Sequence, residues 1–265
     1  NDPGQSTIEG IGRADVWVFD AMNPGSSLGG DELTILTLFT DTPRALTVST
    51  DGNTVYAAGF HTGNKTSVIP GGAVAVGGGS PAPNISNAGV VAPSVGLIVK
   101  DDGTHWVDEL GRNWDAQIPF SLPDNDVFAI NVNHTAFSSG APSVTTAYSS
   151  VGTVLYNMIV NPVNGKIYVS NTEANNSTRF EGTREAGDSN STVVGNIHKA
   201  RITVLDGTSV VPRHLNKHID YSIVPAPVGT KENSLSYPLG MAISPLGDTL
   251  YLAAFGSSKV GVFNT

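Results

Sequence analysis

The chain has 265 residues, 14% of them charged, with a net charge of −9 and an isoelectric point near 4.9. Without a basic cluster it has no means of following a phosphate backbone, so nucleic-acid binding is not expected. It contains no cysteine, which excludes disulfides, thiolate zinc sites, cysteine nucleophiles and a Cys-x-x-Cys-His haem attachment within these residues. Gly (30) and Pro (16) are abundant, while 39% hydrophobic residues suffice for a core; together they suit many short strands joined by tight turns.

In chain order, Asp15–Asp20 alternates and ends on Asp, and Leu33–Phe39 is rich in β-formers. Residues 44–49 and 54–60 then form a strand–turn–strand unit around Asp51-Gly52. Residues 61–94 are rich in Gly, Pro, Ser and Asn, apart from the small-residue run Ala73-Val74-Ala75-Val76. Strands are predicted at 95–100, at 105–110 beyond the Asp101-Asp102-Gly103 turn, and at 126–131. A second strand–turn–strand unit covers 154–161 and 166–171 around Asn164-Gly165. Residues 172–198 are polar and read as strandless; strands follow at 200–207 and 217–224. Pro212–Lys217 has the best helical pattern, too short for more than a turn. The third unit, 239–244 and 249–255 around Leu246-Gly247, leads into a strand at 259–264. No apolar run approaches the roughly 18 residues of a membrane-spanning helix.

The strand–turn–strand unit, followed by a third strand ending on Asp or Asn and a polar fourth strand, is one blade of a β-propeller. The fold class expected is therefore all-β, a propeller of four-stranded antiparallel blades. The turn glycines Gly52, Gly165 and Gly247 lie much further apart than one blade of about 40–45 residues. Long insertions at 61–94 and 172–198 account for that spacing. Both follow a second strand, so both are expected on one face. About three to four blades can be counted, with a third-type strand at each end. The expectation is a partial ring: residues 1–265 form a single propeller domain or part of one.

The pattern Pro-x-Gly/Ala-x-x-x-Ser-Pro-x-Gly-x-x-x-Tyr-x-Ala, clearest in Pro238–Thr265, resembles the YVTN-type β-propeller repeats of bacterial and archaeal surface and periplasmic proteins. Val169–Ala174, Arg179–Gly182, Ala200–Gly207 and Pro212–Asp220 look like a subgroup of large exported bacterial proteins. In these a propeller precedes a cytochrome-c-like, peroxidase-related domain. The resemblance implies an exported chain, in the periplasm or at the cell surface, whose partner is the remaining propeller strands, a haem domain or a surface protein. It implies a non-catalytic interaction or scaffold module. Two alternatives stay open: a calcium-dependent propeller enzyme of the hydrolase or lactonase kind, and a surface-layer or adhesive repeat protein.

Candidate chemistry is sparse. His214 and His218 are four residues apart with Asp220 close by, and two imidazoles and a carboxylate can share a metal; the competing reading is a polar outer strand. Asp124 and Asp126 flank Asn125, and carboxylates two apart can help hold Ca2+; the competing reading is turn-forming Asp. No other cofactor is expected. Arg179, Glu181, Arg184 and Glu185 form a mixed-charge cluster suited to pinning the second insertion. Trp17 alternates with Val and Phe as a core residue would, and Trp106 and Trp114 read as blade packing. Asn-x-Ser/Thr sites occur at Asn64, Asn84, Asn133, Asn175, Asn176 and Asn190, frequent by chance in a chain of this composition. Gly-x-Ser-x-Gly, His-Glu-x-x-His and phosphate-binding glycine loops are absent; Gly77-Gly78-Gly79 runs into Ser-Pro and reads as a flexible loop.

Overall fold

A computed structural model describes residues 14–81, 89–90, 96–118, 124–133, 142–175, 196–221, 223 and 226–265. The Arg179–Glu185 charge cluster and Asn84, Asn176 and Asn190 lie outside the described residues.

The fold is all-β, a partial propeller. β1 (Ala14–Phe19) and β2 (Glu32–Leu38) form an antiparallel pair. The first full blade is a meander of β3 (Asp41–Val48), β4 (Thr54–His61), β8 (Val127–Asn131) and β9 (Ser143–Tyr148). β10 (Val154–Val160), β11 (Ile167–Ala174), β12 (His198–Asp206) and β13 (Ser209–His214) make the second. β14 (Pro238–Ile243), β15 (Thr249–Ala254) and β16 (Lys259–Asn264) make a three-stranded third. The inner strand β10 lies against β3 on one side and β14 on the other. The first two blades touch edge to edge at one residue pair, Val154 with His61.

Strand alternation explains why the blades stack. Successive side chains point to opposite faces, and each face of a full blade is apolar. In the first blade Ala57, Phe128 and Ile130 pack with Leu38 of β2, while Ala58 and Val127 pack with Leu155, Met158, Ile167 and Val169 of the second. Tyr168 and Ile202 then point the other way, onto Leu250 and Leu252 of the third blade. Each fully buried Val or Leu contributes on the order of 1.5–3 kcal/mol, so the joints, rather than isolated blades, carry the stability.

Between β4 and β8 the chain leaves the blade and builds a small unit. It contains β5 (Thr66–Ile69), the short helix α1 (Gly71–Val76), β6 (Leu97–Asp101) and β7 (Trp106–Val107). Its core is Ile69, Val74, Leu97, Val99, Trp106, Trp114 and Ile118. This corrects three expectations. Residues 96–100 and 105–110 are not blade strands, because β8 occupies the third place beside β4; residue 95 lies outside the described residues. Ala73–Val76, the one run of 61–94 with a strand-like pattern, is helical. Trp106 and Trp114 fill the unit's own core, not a blade joint.

The second interruption falls between β11 and β12, again between second and third strands. β4 and β11 are each antiparallel to β10, so they run the same way and both interruptions leave from one side. Their roots are tied: Asn64 Nδ2 donates to Glu173 Oε1 and the Ala174 carbonyl, 3.2 Å each. Asn175 Nδ2 donates to the Asn196 carbonyl at 3.0 Å. The amides of these two sequons are therefore engaged within the fold.

Residues 217–224 were expected as a strand. β13 begins earlier, at Ser209, and fills the edge of β12 through His214; residues 215–218 are a turn. Of Pro212–Lys217, the best helical pattern, residues 212–214 are strand for the same reason and residues 215–217 lie in the turn. No helix among the described residues is long and apolar enough to cross a membrane.

Candidate functional site

Two places gather the residues singled out from the sequence. The first is closed. Asp124 and Asp126 come off the first insertion into β8, facing the 149–153 loop that joins the first two blades. Asp124 Oδ2 accepts from Ser150 N at 2.9 Å and from its hydroxyl at 3.3 Å. Asp126 Oδ2 accepts from Val151 N at 2.6 Å and Gly152 N at 3.3 Å. Both residues are buried, and the Oδ1 atom of each is buried without a hydrogen-bond partner. Burial, and then the Asp124 charge, push the Asp126 carboxyl up to about 8. Around the pair, Arg201 Nη2 donates to the Val151 carbonyl at 2.8 Å and to Glu173 Oε2 at 3.0 Å. Its Nε donates to Asn171 Oδ1 at 3.2 Å, and Thr203 Oγ1 donates to the Val151 carbonyl at 2.7 Å. Nothing in the sequence announced Arg201, which is brought to the loop by β12 across the second interruption. The chemistry here is that of a pinned joint: carboxyl oxygens hold the loop's N–H groups, and Arg201 and Thr203 hold its carbonyl.

The second place is open. A cleft of about 570 Å3 lies between the outer strands of the second blade and the third blade. Ile202, Val204 and Val211 line one wall and Leu250 and Phe263 the other; Arg213, Lys217, His214 and His218 stand around it. Lys166 and Asp206, also at the cleft, pair with each other at 3.1 Å. Burial, followed by Lys199, Arg201, Lys217 and His218, holds the His214 imidazole below its usual range. His218 Nε2 lies 3.4 Å from both the Thr230 carbonyl and Ser234 Oγ. Asp220 belongs to a neighbouring hollow of about 610 Å3 with Ile219, Tyr221 and Pro227. The structure thus brings His214 and His218 to one cleft, Asp220 beside it, and Asp124 with Asp126 to a different joint. Among the described residues no group of three or more His, Asp or Glu side chains converges as a metal-holding set.

The outermost described faces of the stack are apolar. Tyr251, Val260 and Val262 form an apolar outer face on the third blade, turned away from Leu250, Leu252 and Phe263. At the other end Trp17 (50% exposed), Leu33 and Ile35 form the outer face of β1–β2. Trp17, expected in a core, faces outward because no described element covers that side.

No protein-family model matches the chain, and no curated protein matches it. Among solved structures it is similar to Kuenenia stuttgartiensis hydrazine synthase, at 13% identity and a TM-score of 0.35, over 89% of this chain and 68% of that one. It is also similar to a putative 6-phosphogluconolactonase from Bacteroides uniformis, at 11% identity and a TM-score of 0.29, over 90% of this chain and 58% of that one. Likenesses this distant say nothing of activity; the partial propeller is read from the blades themselves.

Proposed function

We propose that the chain is a non-catalytic interaction module, a run of propeller blades that docks other protein parts. The observation that supports it is the pair of open apolar faces, Trp17 with Ile35 at one end and Tyr251 with Val262 at the other. Among the described residues the faces between these ends are covered by a neighbouring blade or by β1–β2. Contiguous apolar surface of this kind marks a protein interface. The resemblance to exported repeat proteins adds that the module works outside the cytoplasm and that its partner is a cytochrome-like redox domain or a surface protein.

Sedimentation velocity on the purified chain tests the reading. At about 100 μM, where even weak contacts register, the parent is expected to self-associate through its end faces. Ile35→Lys and Val262→Lys should each weaken that association. A strictly monomeric parent, or turnover of lactone or ester substrates by the chain alone, would overturn it.

A further inference from the structure

The three inner turns are built alike, but only one carries a side chain that can react with its own backbone. Gly52, Gly165 and Gly247 are preceded by Asp51, Asn164 and Leu246, and Asn164-Gly165 is the one Asn-Gly pair in the sequence. Both residues are exposed, between β10 and β11. Asn164 Oδ1 accepts from the Lys166 N–H at 3.0 Å, which folds the side-chain amide back over the following peptide. Its Nδ2 has no partner among the described residues. Gly165 has no Cβ, and a Cβ built there would meet nothing within 4 Å, so the peptide nitrogen is open to approach.

We propose that Asn164 is a site of self-modification, at which the Gly165 nitrogen attacks the side-chain amide and Asn164 becomes aspartate or isoaspartate. A bond forms between Gly165 N and Asn164 Cγ. The Cγ–Nδ2 bond breaks, and ammonia leaves with the proton that Gly165 N gave up. Water then opens the cyclic imide, adding its hydroxyl to one carbonyl carbon and its hydrogen to the nitrogen. Opening at the side-chain carbonyl gives aspartate; opening at the main-chain carbonyl gives isoaspartate. The Lys166 N–H sits where charge builds on Oδ1 during attack and stabilises it. The Gly165 N–H is held by the Asn161 carbonyl at 3.0 Å, so reaction follows local opening of this exposed turn, which costs far less than unfolding.

The neighbouring candidates lack the chemistry. Asp51 Oδ1 accepts from Asn53 N at 3.0 Å in the same way. Ser49, and then Asn53, hold the Asp51 carboxyl down to about 2, and an ionised carboxylate is a poor electrophile with no amine to expel. Leu246 has no side-chain carbonyl. Asn161 is followed by Pro162, which has no N–H to give up.

Isoaspartate routes the main chain through Cβ and Cγ and lengthens the turn by one carbon. The bonds from Gly165 N to Asn161 and from Lys166 N to Asn164 Oδ1 are then lost. Asn161 Nδ2, which reaches the Gly247 carbonyl at 2.8 Å, loses its fixed base. The converted chain therefore has a looser joint between the second and third blades.

The test incubates the full 265-residue chain in mildly alkaline buffer and maps its peptides by mass spectrometry, with isoaspartyl methyltransferase labelling to tell isoaspartate from aspartate. Conversion at Asn164 should run at least about tenfold faster than at any other asparagine among the described residues. Asn164→Gln, whose longer side chain cannot close a five-membered ring, should stay unconverted in the same turn. In the converted fraction, amide exchange should quicken at Gly165 and Lys166 and stay as it was at Gly52 and Asn53. An Asn164 that stays intact in the folded chain would overturn the proposal. So would faster conversion at another described asparagine, or conversion that leaves exchange at Gly165 and Lys166 unaltered.

Discussion

Asp126 shows how a single buried carboxyl sets pH behaviour. Its folded value is raised to about 8 from an ordinary 3.8, so the native state keeps a proton that the unfolded chain releases. That contribution is complete below about pH 4 and is lost as the pH rises through 8, with a slope approaching about 1.4 kcal/mol per pH unit. Asp126→Asn supplies a permanently neutral group. The stability difference between parent and variant in urea should move in the variant's favour from pH 5 to pH 8; a constant difference would contradict the assignment. His214 acts with the opposite sign, because its lowered value makes protonation unfavourable to the fold below about 6.5. Comparing parent with variant removes that background.

In the first insertion, Asp108 is the equivalent anchor. Its side chain has no exposure and accepts from Arg112 Nε at 2.6 Å, Trp114 Nε1 at 3.0 Å and two backbone N–H groups. Arg112 in turn donates to the Gly77 and Gly79 carbonyls. Asp108→Ala leaves Arg112 Nε and the Trp114 indole without their acceptor and should cost about 3 kcal/mol by chemical denaturation. Asp108 was not singled out in the sequence, whereas Asp124 and Asp126 were, as candidate calcium ligands. Asp124 and Asp126 stood out because they are two apart in sequence. What they hold, Ser150 to Gly152, and what flanks them, Arg201, come from other blades.

At the scale of elements, the three inner turns repeat one construction. Ser49, Asn161 and Ser244 each donate their N–H to the carbonyl five residues on, at 2.8, 2.8 and 2.9 Å. Gly52, Gly165 and Gly247 take φ of 73°, 72° and 70°, the left-handed region that glycine reaches without strain. One turn also links blades. Asn161, fully buried, donates through Nδ2 to the Gly247 carbonyl at 2.8 Å. A Cβ on Gly247 would run into Asn161 Oδ1. Gly247→Ala is therefore predicted to destabilise by about 1–3 kcal/mol, and more than Gly52→Ala, whose Cβ would meet open space; equal losses in thermal unfolding would contradict the bridge.

These turns were legible because their chemistry is local, carried by Gly after Asp, Asn or Leu. β9 was not, because Ser143–Tyr148 is polar and exposed and becomes a strand only by pairing with β8. Residues 217–221 have a β-like composition, but the edge of β12 is already taken by Ser209–His214, and 222 and 224 lie outside the described residues. The small unit inserted in the first blade escaped notice for a related reason. Residues 95–110 carry strand chemistry, and nothing local says which sheet they join.

For the whole molecule, the apolar patterning of two faces per blade predicts a stack, and the outermost described faces, on β1–β2 and on the third blade, are exposed. Trp17 read as a core residue because its strand pattern is that of a covered blade. The structure keeps the pattern and leaves the face open. The absence of cysteine allows the most direct measurement of this account: the rate of thiol modification in single-cysteine variants along the two end strands. Cysteines at 251, 260 and 262 should react at least about a hundredfold faster than those at 250, 252 and 263, which open only with the fold; positions 17 and 35 should react fast as well. Equal rates on the two faces of β15 and β16, or protection at 251, 260 and 262, would contradict the open blade stack.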